Sequence, residues 1–408
     1  MESGTSFDYQ GRFGPILRIA LVNGLLTLLT LGVYRFWATA KLRRYVWGSV
    51  RLGGDAFEYT GTGLEKFLGF LVAVVVLAVY LGLVQIVLFL FGVVLVAEPR
   101  NAAEATMQAL ALSLSALAAV PFVFFAQYRA RRYKLARTRF RGIRFGMEPA
   151  AWGYVWRALG HGALTVVTLG LLLPRQTFAL EAYMTNRSFF GDARFAQGGR
   201  WTALYRYFWH VPFGAATLIG GVAVAVLAPE PGAPAGVLGY RGFALIILGL
   251  HVVGFVWITL GLAHYTVQSF AYLTSNKTLG ADVAFRARPK SGRVIAIWVG
   301  GIIAIAVTLF IFGAIANAAF AEVFGETMAR GGDLPVAVTI AGVIGYVAAF
   351  VLAGALGTAL ISQPILRHYV ETLGIEGVGA LEVIAQRAAD RGADAEGFAD
   401  ALDVGGGF

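Results

Sequence analysis

The sequence predicts an all-α polytopic membrane protein, with about six spanning helices, two short re-entrant helices, small cytoplasmic β-hairpins and an internal duplication. Three observations point there: a composition too apolar for water, six long stretches without a charge, and a pattern recurring at a fixed offset. Hydrophobic residues make up 58% of the 408-residue chain and charged ones 14%, with a mean hydropathy of +0.70. Soluble domains hold about 45–50% and about 25% respectively. A soluble monomer of this composition cannot cover its surface with polar groups, and the same apolar excess excludes a disordered chain. The absence of cysteine excludes disulfides, thiolate metal sites and a cysteine nucleophile.

Residues 67–97, 105–128, 207–229, 242–276, 294–321 and 334–366 contain no Asp, Glu, Lys or Arg. Each is long enough for the roughly 20 apolar residues that cross a bilayer core as a helix, which satisfies its own backbone hydrogen bonds in lipid. Glycines within them, such as Gly300, Gly301 and Gly313, suit close helix packing. Two further apolar stretches lie between Arg18 and Arg35 and between Arg157 and Arg175. With breaks read at Asn23-Gly24 and at Gly160-His161-Gly162, they shrink to residues 25–34 and 163–174. Segments of about 10–14 residues suit re-entrant helices. The opening residues, with Glu2, Asp8 and no basic cluster, do not read as a secretory signal.

At an offset of 138, Asn23-Gly24-Leu25-Leu26-Thr27 falls on His161-Gly162-Ala163-Leu164-Thr165, and Thr30-Leu31-Gly32 on Thr168-Leu169-Gly170. Tyr45, Gly53 and Phe57 fall on Tyr183, Gly191 and Phe195. This reads as a duplication. A smaller unit recurs within it: an aromatic after a helix and, twelve residues later, an apolar residue beyond a Gly-centred turn. Tyr45 with Phe57, Tyr133 with Phe145, Tyr183 with Phe195 and Tyr369 with Leu381 fit, as does Tyr272 with Phe285 at one extra residue. Alternation around Gly53-Gly54 is hairpin chemistry, so short surface hairpins are expected, with residues 7–12 as an added strand. The chain divides into residues 1–151, 152–292 and a partial third unit, 293–408, ending in an acidic tail expected to begin as a solvated helix.

Charge suggests which way these units face. Residues 39–66, 128–149, 175–206 and 266–293 carry net charges of +2, +7, +3 and +4, whereas 98–104, 229–241 and 322–333 carry −1, 0 and −2. Lys and Arg in short loops mark the cytoplasmic side, so all hairpins and both termini are expected there.

Residues 23–34 (Asn23 to Tyr34), then Trp37-Ala38, Arg43-Arg44-Tyr45, Gly53, Phe57 and Gly61, resemble the opening motif of the YjgN family. The resemblance is sharp over about residues 7–70 and weaker beyond. It departs at Phe36, where the family usually has proline; the matching position of the second unit is Pro174. It implies a bacterial inner-membrane protein of this general architecture and implies no reaction.

Candidate site residues follow from chemistry. Eight basic residues crowd 129–144, with Tyr133 and Phe140 among them; Arg131, Arg132 and Tyr133, with Arg43, Arg44 and Tyr45 of the first hairpin, are candidates for holding an anionic solute or lipid headgroup. Asn23 and His161, beside breaks in the short helices, are candidates for an ion or substrate. His251, Gln85 and Asn317 are polar groups inside spans, candidates by default. His210 lies nearer a span's end. HExxH, Walker A and G-x-S-x-G patterns are absent, and the five histidines lack metal spacing. No enzyme, cofactor, metal or nucleic-acid partner is predicted. The leading expectation is transport or binding of a small solute, anionic by its basic surroundings, or of a lipid. The alternative is a non-transporting organiser that docks a cytoplasmic partner or anionic lipid.

Overall fold

Strands of three to five residues cannot stand alone, and in this protein they do not. The structure, a computed structural model, describes residues 5–93, 98–228, 239–329 and 336–388. Among them, ten strands occur: β1 (Thr5–Tyr9), β2 (Val50–Leu52), β3 (Asp55–Tyr59), β4 (Thr138–Phe140), β5 (Ile143–Met147), β6 (Ser188–Phe190), β7 (Ala193–Gln197), β8 (Lys277–Leu279), β9 (Val283–Ala287) and β10 (Leu373–Glu376). They pair in the order β1-β10-β9-β8-β7-β6-β5-β4-β3-β2 and close into one antiparallel barrel. The expectation of an all-α fold carrying small hairpins is therefore overturned. A lone hairpin is marginal in water, and closure gives every edge a partner. The unit at Tyr369 and Leu381 supplies one strand rather than a hairpin: β10 pairs with β9 and with β1, Thr5 lying opposite Ile375.

The barrel is a packed core. Cross-strand partners Phe7–Leu52, Phe57–Phe140, Phe145–Phe190, Phe195–Leu279 and Phe285–Ile375 place one apolar residue from each strand in a single layer. The rings of Phe145 and Phe190 lie 4.6 Å apart and those of Phe57 and Phe140 4.7 Å, so aromatic packing adds to burial. The recurring apolar residue of the sequence unit is the member of this layer on β3, β5, β7 and β9. Beyond β10, the expected solvated helix is instead a 3₁₀ turn at Val378–Val383, whose Leu381 joins the same core. The tail beyond residue 388 lies outside the described residues.

Tight turns join the strands at one end of the barrel, and five helical excursions leave and return at the other. The first is α1 (Phe13–Leu29) and α2 (Arg35–Ser49). The second is α3 (Gly63–Leu90) and α4 (Ala102–Ala136). The third is α5 (Ala151–Val167) and α6 (Leu173–Thr185). The fourth is α7 (Tyr205–Phe208), α8 (His210–Leu227) and α9 (Gly239–Ser275), and the last is α10 (Ser291–Ala329), α11 (Val336–Leu356), a π-helical stretch Gly357–Ser362 and α12 (Gln363–Glu371). Six helices are long and apolar enough to span: Gly63–Leu90, Ala102–Ala136, His210–Leu227, Arg241–Ser275, Ser291–Ala318 and Val338–Glu371. Since a helix rises about 1.5 Å per residue, the longer ones exceed the roughly 30 Å hydrocarbon core. Their surplus turns are available to reach the barrel.

The breaks read at Asn23-Gly24 and Gly160-His161-Gly162 are not there. α1 and α5 run straight through them, because an internal glycine costs only about 1 kcal/mol in a helix. The chain reverses further on, at Leu31-Gly32 (φ 51° and 93°) and at Leu169-Gly170 (φ 51° and 89°). Thr30 and Thr168 fasten both reversals, each hydroxyl donating back to Leu26 or Leu164 (2.8 Å) and accepting from the amide of Tyr34 or Leu172 (2.9 and 3.2 Å). Leu31 and Leu169 are 96% and 92% exposed. Apolar tips this bare suit lipid, not water. Gly63, the first residue of α3, packs against Trp37, two residues into α2. The first span therefore starts beside the beginning of α2.

Recurring polar side chains fasten each excursion to its own start. The Tyr45 hydroxyl accepts from the amide of Arg12 (2.8 Å), Tyr183 donates to Ala150 O (3.0 Å), and Tyr133 donates to Glu65 Oε2 (2.8 Å). Tyr272 accepts from the Arg200 amide (2.8 Å), and His368, beside Tyr369, accepts from the Lys290 amide (2.9 Å). In four excursions the aromatic of the sequence unit thus ties the return helix to the start of the outgoing one, and in the last its neighbour His368 does so.

One barrel puts every hairpin on one side of the membrane. Ser49 and Ser188, at the strand starts, are 7% and 4% exposed, whereas Glu58 and Ala281 are exposed. Cysteines placed at Glu58 and Ala281 are expected to react with an impermeant maleimide from the same side of sealed vesicles. Labelling from opposite sides contradicts the barrel.

Candidate functional site

The basic cluster of residues 129–144 does not form one patch. Arg132 is buried, its Nε donating to Met147 O (2.8 Å). Arg137 pairs with Glu65 (3.0 Å) and Arg141 with Asp55 (2.6 Å). Arg129 lies over the Phe125 ring. Arg44 donates to Gly61 O (3.4 Å). Tyr45 and Tyr133 are the fasteners described above.

Arg131 faces inward. Its guanidinium forks onto Glu181 of α6 (2.6 and 3.0 Å), whose Oε1 also accepts from Lys277 Nζ of β8 (2.6 Å) and Thr185 Oγ1 (3.1 Å). Burial opposes the charged form of Glu181, but Arg131 and Lys277 outweigh it and hold the carboxyl well below the usual carboxylate range. Burial lowers the Lys277 ammonium, and Glu181 restores part of that loss. Two cavities meet at Arg131: one of about 500 Å³ toward Thr177, Tyr265 and Ser269, and one of about 420 Å³ over the barrel, toward Trp47, Phe57 and Phe145. The residues singled out from the sequence contain only the Arg131 corner of this network. Glu181 and Lys277 were missed, although the 138-residue offset sets Glu181 opposite Arg43 and so marks a charged position in both hairpins.

A third cavity, of about 610 Å³, lies between α1, α2 and α11. α1 contributes Asn23, Thr27 and Leu28, the reversal contributes Leu31, α2 contributes Arg35, Thr39 and Arg43, and the far wall is Phe350, Val351, Thr358 and Ser362. The last two lie on the π-helical stretch, a helix form frequent at functional sites. Asn23 is 6% exposed and its Nδ2 donates to Ala38 O (3.2 Å). Arg43 is 2% exposed, with its guanidinium over Tyr59. Thr39 and Arg43 here match Thr177 and Glu181 of the 500 Å³ cavity at the 138-residue offset. The two hairpins therefore turn the same face to a cavity, with a cation in one and an anion in the other.

The remaining candidates lie apart. His161 sits half-buried on α5, which packs on α4 and α6, whereas α1 packs on α2 and α11; the structure does not bring Asn23 and His161 together. Burial, with Arg175 and Arg157 nearby, lowers the His161 pKa, which favours the neutral ring. His251 Nδ1 bonds Ile247 O (2.7 Å) and its ring packs on Gly221 of α8. Gln85 donates to Ser115 Oγ (2.6 Å), joining α3 to α4. Asn317 is exposed on α10. His210 stacks on Trp209 and near His264 in an apolar cleft. Among the described residues no group of three His, Cys, Asp or Glu is placed to hold a metal.

Six apolar helices and an interior polar layer above a solid barrel define a multi-pass membrane protein. The chain belongs to a family described as bacterial protein of unknown function (DUF898), whose profile matches residues 4–401. It is 28% identical over 170 residues to inner membrane protein YjgN of Salmonella typhimurium, covering 40% of this chain and 37% of that protein. It is 27% identical over 177 residues to inner membrane protein YjgN of Escherichia coli K12, covering 43% and 39%. The matched region is thus under two-fifths of these relatives' length. The resemblance to the YjgN family stands, and with six spans the chain is a multi-pass inner-membrane protein. No solved structure matches it.

Replacing Glu181 by Gln leaves Arg131 and Lys277 facing one another without their shared carboxylate. The three side chains are partly exposed, so the cost falls below the roughly 3–5 kcal/mol of a fully buried pair but exceeds the roughly 0–1 kcal/mol of a surface one, and the melting temperature in detergent is expected to fall accordingly. Because the Glu181 pKa is depressed on folding, its contribution is present above the ordinary carboxylate range and is lost as pH falls below it. Wild-type stability should therefore decline with acid more steeply than that of E181Q. Parallel pH profiles contradict this assignment.

Proposed function

We propose that the protein binds a small anionic solute or a lipid headgroup at the membrane surface, in the groove between α1, α2 and α11. The lining carries this reading: two arginines, an asparagine and several hydroxyls on one wall set, closed by apolar side chains, at the level where the first span begins. Its volume falls in the range of about 300–1,000 Å³ usual for ligand pockets. Transport is the stronger form of the proposal. The filled barrel offers no axial path, so a transported solute passes beside the hairpins. The alternative, an organiser without transport, draws support from the same filled barrel, a rigid platform on which a partner could dock. No reaction is assigned.

Positive loops favour a cytoplasmic barrel and cytoplasmic termini. Matching reversals at Leu31-Gly32 and Leu169-Gly170 support a duplication into residues 1–151 and 152–292, with 293–408 as a partial third unit.

Thermal melts of the full chain in detergent test the reading, since a ligand of the native state stabilises by mass action. Phosphatidylglycerol or inorganic phosphate is expected to raise the melting temperature. Arg35→Gln removes a charge-assisted contact worth about 1.5–3 kcal/mol and should weaken the apparent affinity about tenfold or more. A shift unchanged in R35Q contradicts the groove. A shift lost only when residues 129–144 are neutralised favours the organiser.

A further inference from the structure

We infer that the cavity of about 500 Å³ around Glu181 is a second anion site, which takes the carboxylate or phosphate group of a small soluble solute against Lys277 and Arg131. It shares no residue with the groove between α1, α2 and α11, so it stands or falls apart from that reading.

Hydrogen-bond capacity carries the first part of the argument. A carboxylate offers about four acceptor sites. Those of Glu181 are taken by two N–H groups of Arg131, the Lys277 ammonium and the Thr185 hydroxyl. The donors are not used up in the same way. A guanidinium and an ammonium each carry more N–H groups than they give to this carboxylate, and among the described residues Lys277 Nζ donates to Glu181 alone. The Lys277 side chain is 18% exposed, and it lines this cavity and not the one over the barrel. Its remaining donors therefore call for an acceptor from outside the chain.

Charge carries the second. Arg131 and Lys277 share a single carboxylate, which leaves one positive charge over, and among the described residues no second carboxylate lines the cavity. Water can meet a spare donor but cannot cancel a charge. The excess rests on a group that burial already penalises, since burial lowers the Lys277 ammonium. An oxyanion against Lys277 takes up the spare donors and balances the charge together.

Placement carries the third. Arg131 comes from α4, Glu181 from α6 and Lys277 from β8, and Tyr265 and Ser269 of α9 close the cavity. Three helical excursions and the barrel thus fix its charged groups. Its volume lies within the range of about 300–1,000 Å³ usual for ligand pockets and leaves room for the body of a solute beyond its oxyanion. Thr177 and Glu181 match Thr39 and Arg43 at the 138-residue offset, and the charged linings of both cavities are net positive.

Acetylation of lysines in the full chain in detergent, read residue by residue by mass spectrometry, tests the site without any substitution. Lys41 and Lys290 are exposed and serve as internal references. Against chloride at matched ionic strength, saturating inorganic phosphate is expected to slow acetylation of Lys277 about tenfold relative to both. Arg131→Gln removes the surplus charge and should raise the phosphate concentration needed for protection about tenfold; Glu181→Gln doubles the surplus and should lower it by a similar factor. A purely structural ion network predicts no phosphate dependence in any of the three proteins. Lys277 acetylation indifferent to phosphate overturns the inference. So does protection by phosphatidylglycerol without protection by inorganic phosphate, which makes the ligand a lipid headgroup, and so does protection that weakens in E181Q. Should Lys277 resist acetylation in chloride, the phosphate-induced rise in melting temperature of R35Q, in which the groove is weakened, decides instead: a rise lost on adding R131Q supports the site, and no rise, or one kept by the double variant, overturns it. Protection is read at Lys277 itself, so failure of the groove reading leaves this result untouched.

Discussion

Closure of the barrel is the constraint on which the structure depends. Strands as short as β2, β4, β6 and β8, three residues each, have too few hydrogen bonds to hold a partner against chain entropy. They persist because each has neighbours on both sides and a shared layer of phenylalanine, leucine and isoleucine beneath. Every helical excursion is pinned at both ends by that ring. The helices do not have to find one another across the bilayer; the barrel delivers them in order around its rim.

Polar chemistry in the protein is spent mostly on that junction. The tyrosines at 45, 133, 183 and 272 and His368 tie each return helix to its outgoing partner. Arg132 holds the β5 carbonyl at Met147, and the Arg131–Glu181–Lys277 network couples α4, α6 and β8. Such groups would be costly if buried singly, but each meets an opposite charge or a backbone group. What remains open between the elements is a set of cavities beside the hairpins. Arg131 lines both the cavity over the barrel and the cavity around Glu181 and so joins the two.

The six spans were legible in the sequence because lipid forbids charge, and an uncharged run of sufficient length is a direct record of that rule. Gly53-Gly54 likewise announced a turn. Barrel closure was not legible: Thr5 pairs with Ile375, and no local pattern encodes a register between such distant segments. The breaks at Asn23 and His161 were misplaced because glycine weakens a helix without ending it, whereas the Leu31-Gly32 and Leu169-Gly170 reversals looked apolar. Of the site, Arg131, Arg43 and Asn23 were visible as charged or polar residues in unusual company. Glu181 and Lys277 were not, since each takes its meaning from a partner on another element.

Oxidative cross-linking across the barrel's last seam tests closure most directly. Ser6 and Gly374 are register partners on β1 and β10, at the Cα separation of about 4.5–5.5 Å expected of antiparallel pairs and within disulfide reach. A Cβ at Gly374 meets nothing closer than 3.9 Å, and the chain has no cysteine of its own. The double variant Ser6→Cys, Gly374→Cys should oxidise rapidly to a circular monomer that migrates faster on a denaturing gel until reduced. A chain that stays linear, or that joins only to a second copy, is incompatible with a closed barrel.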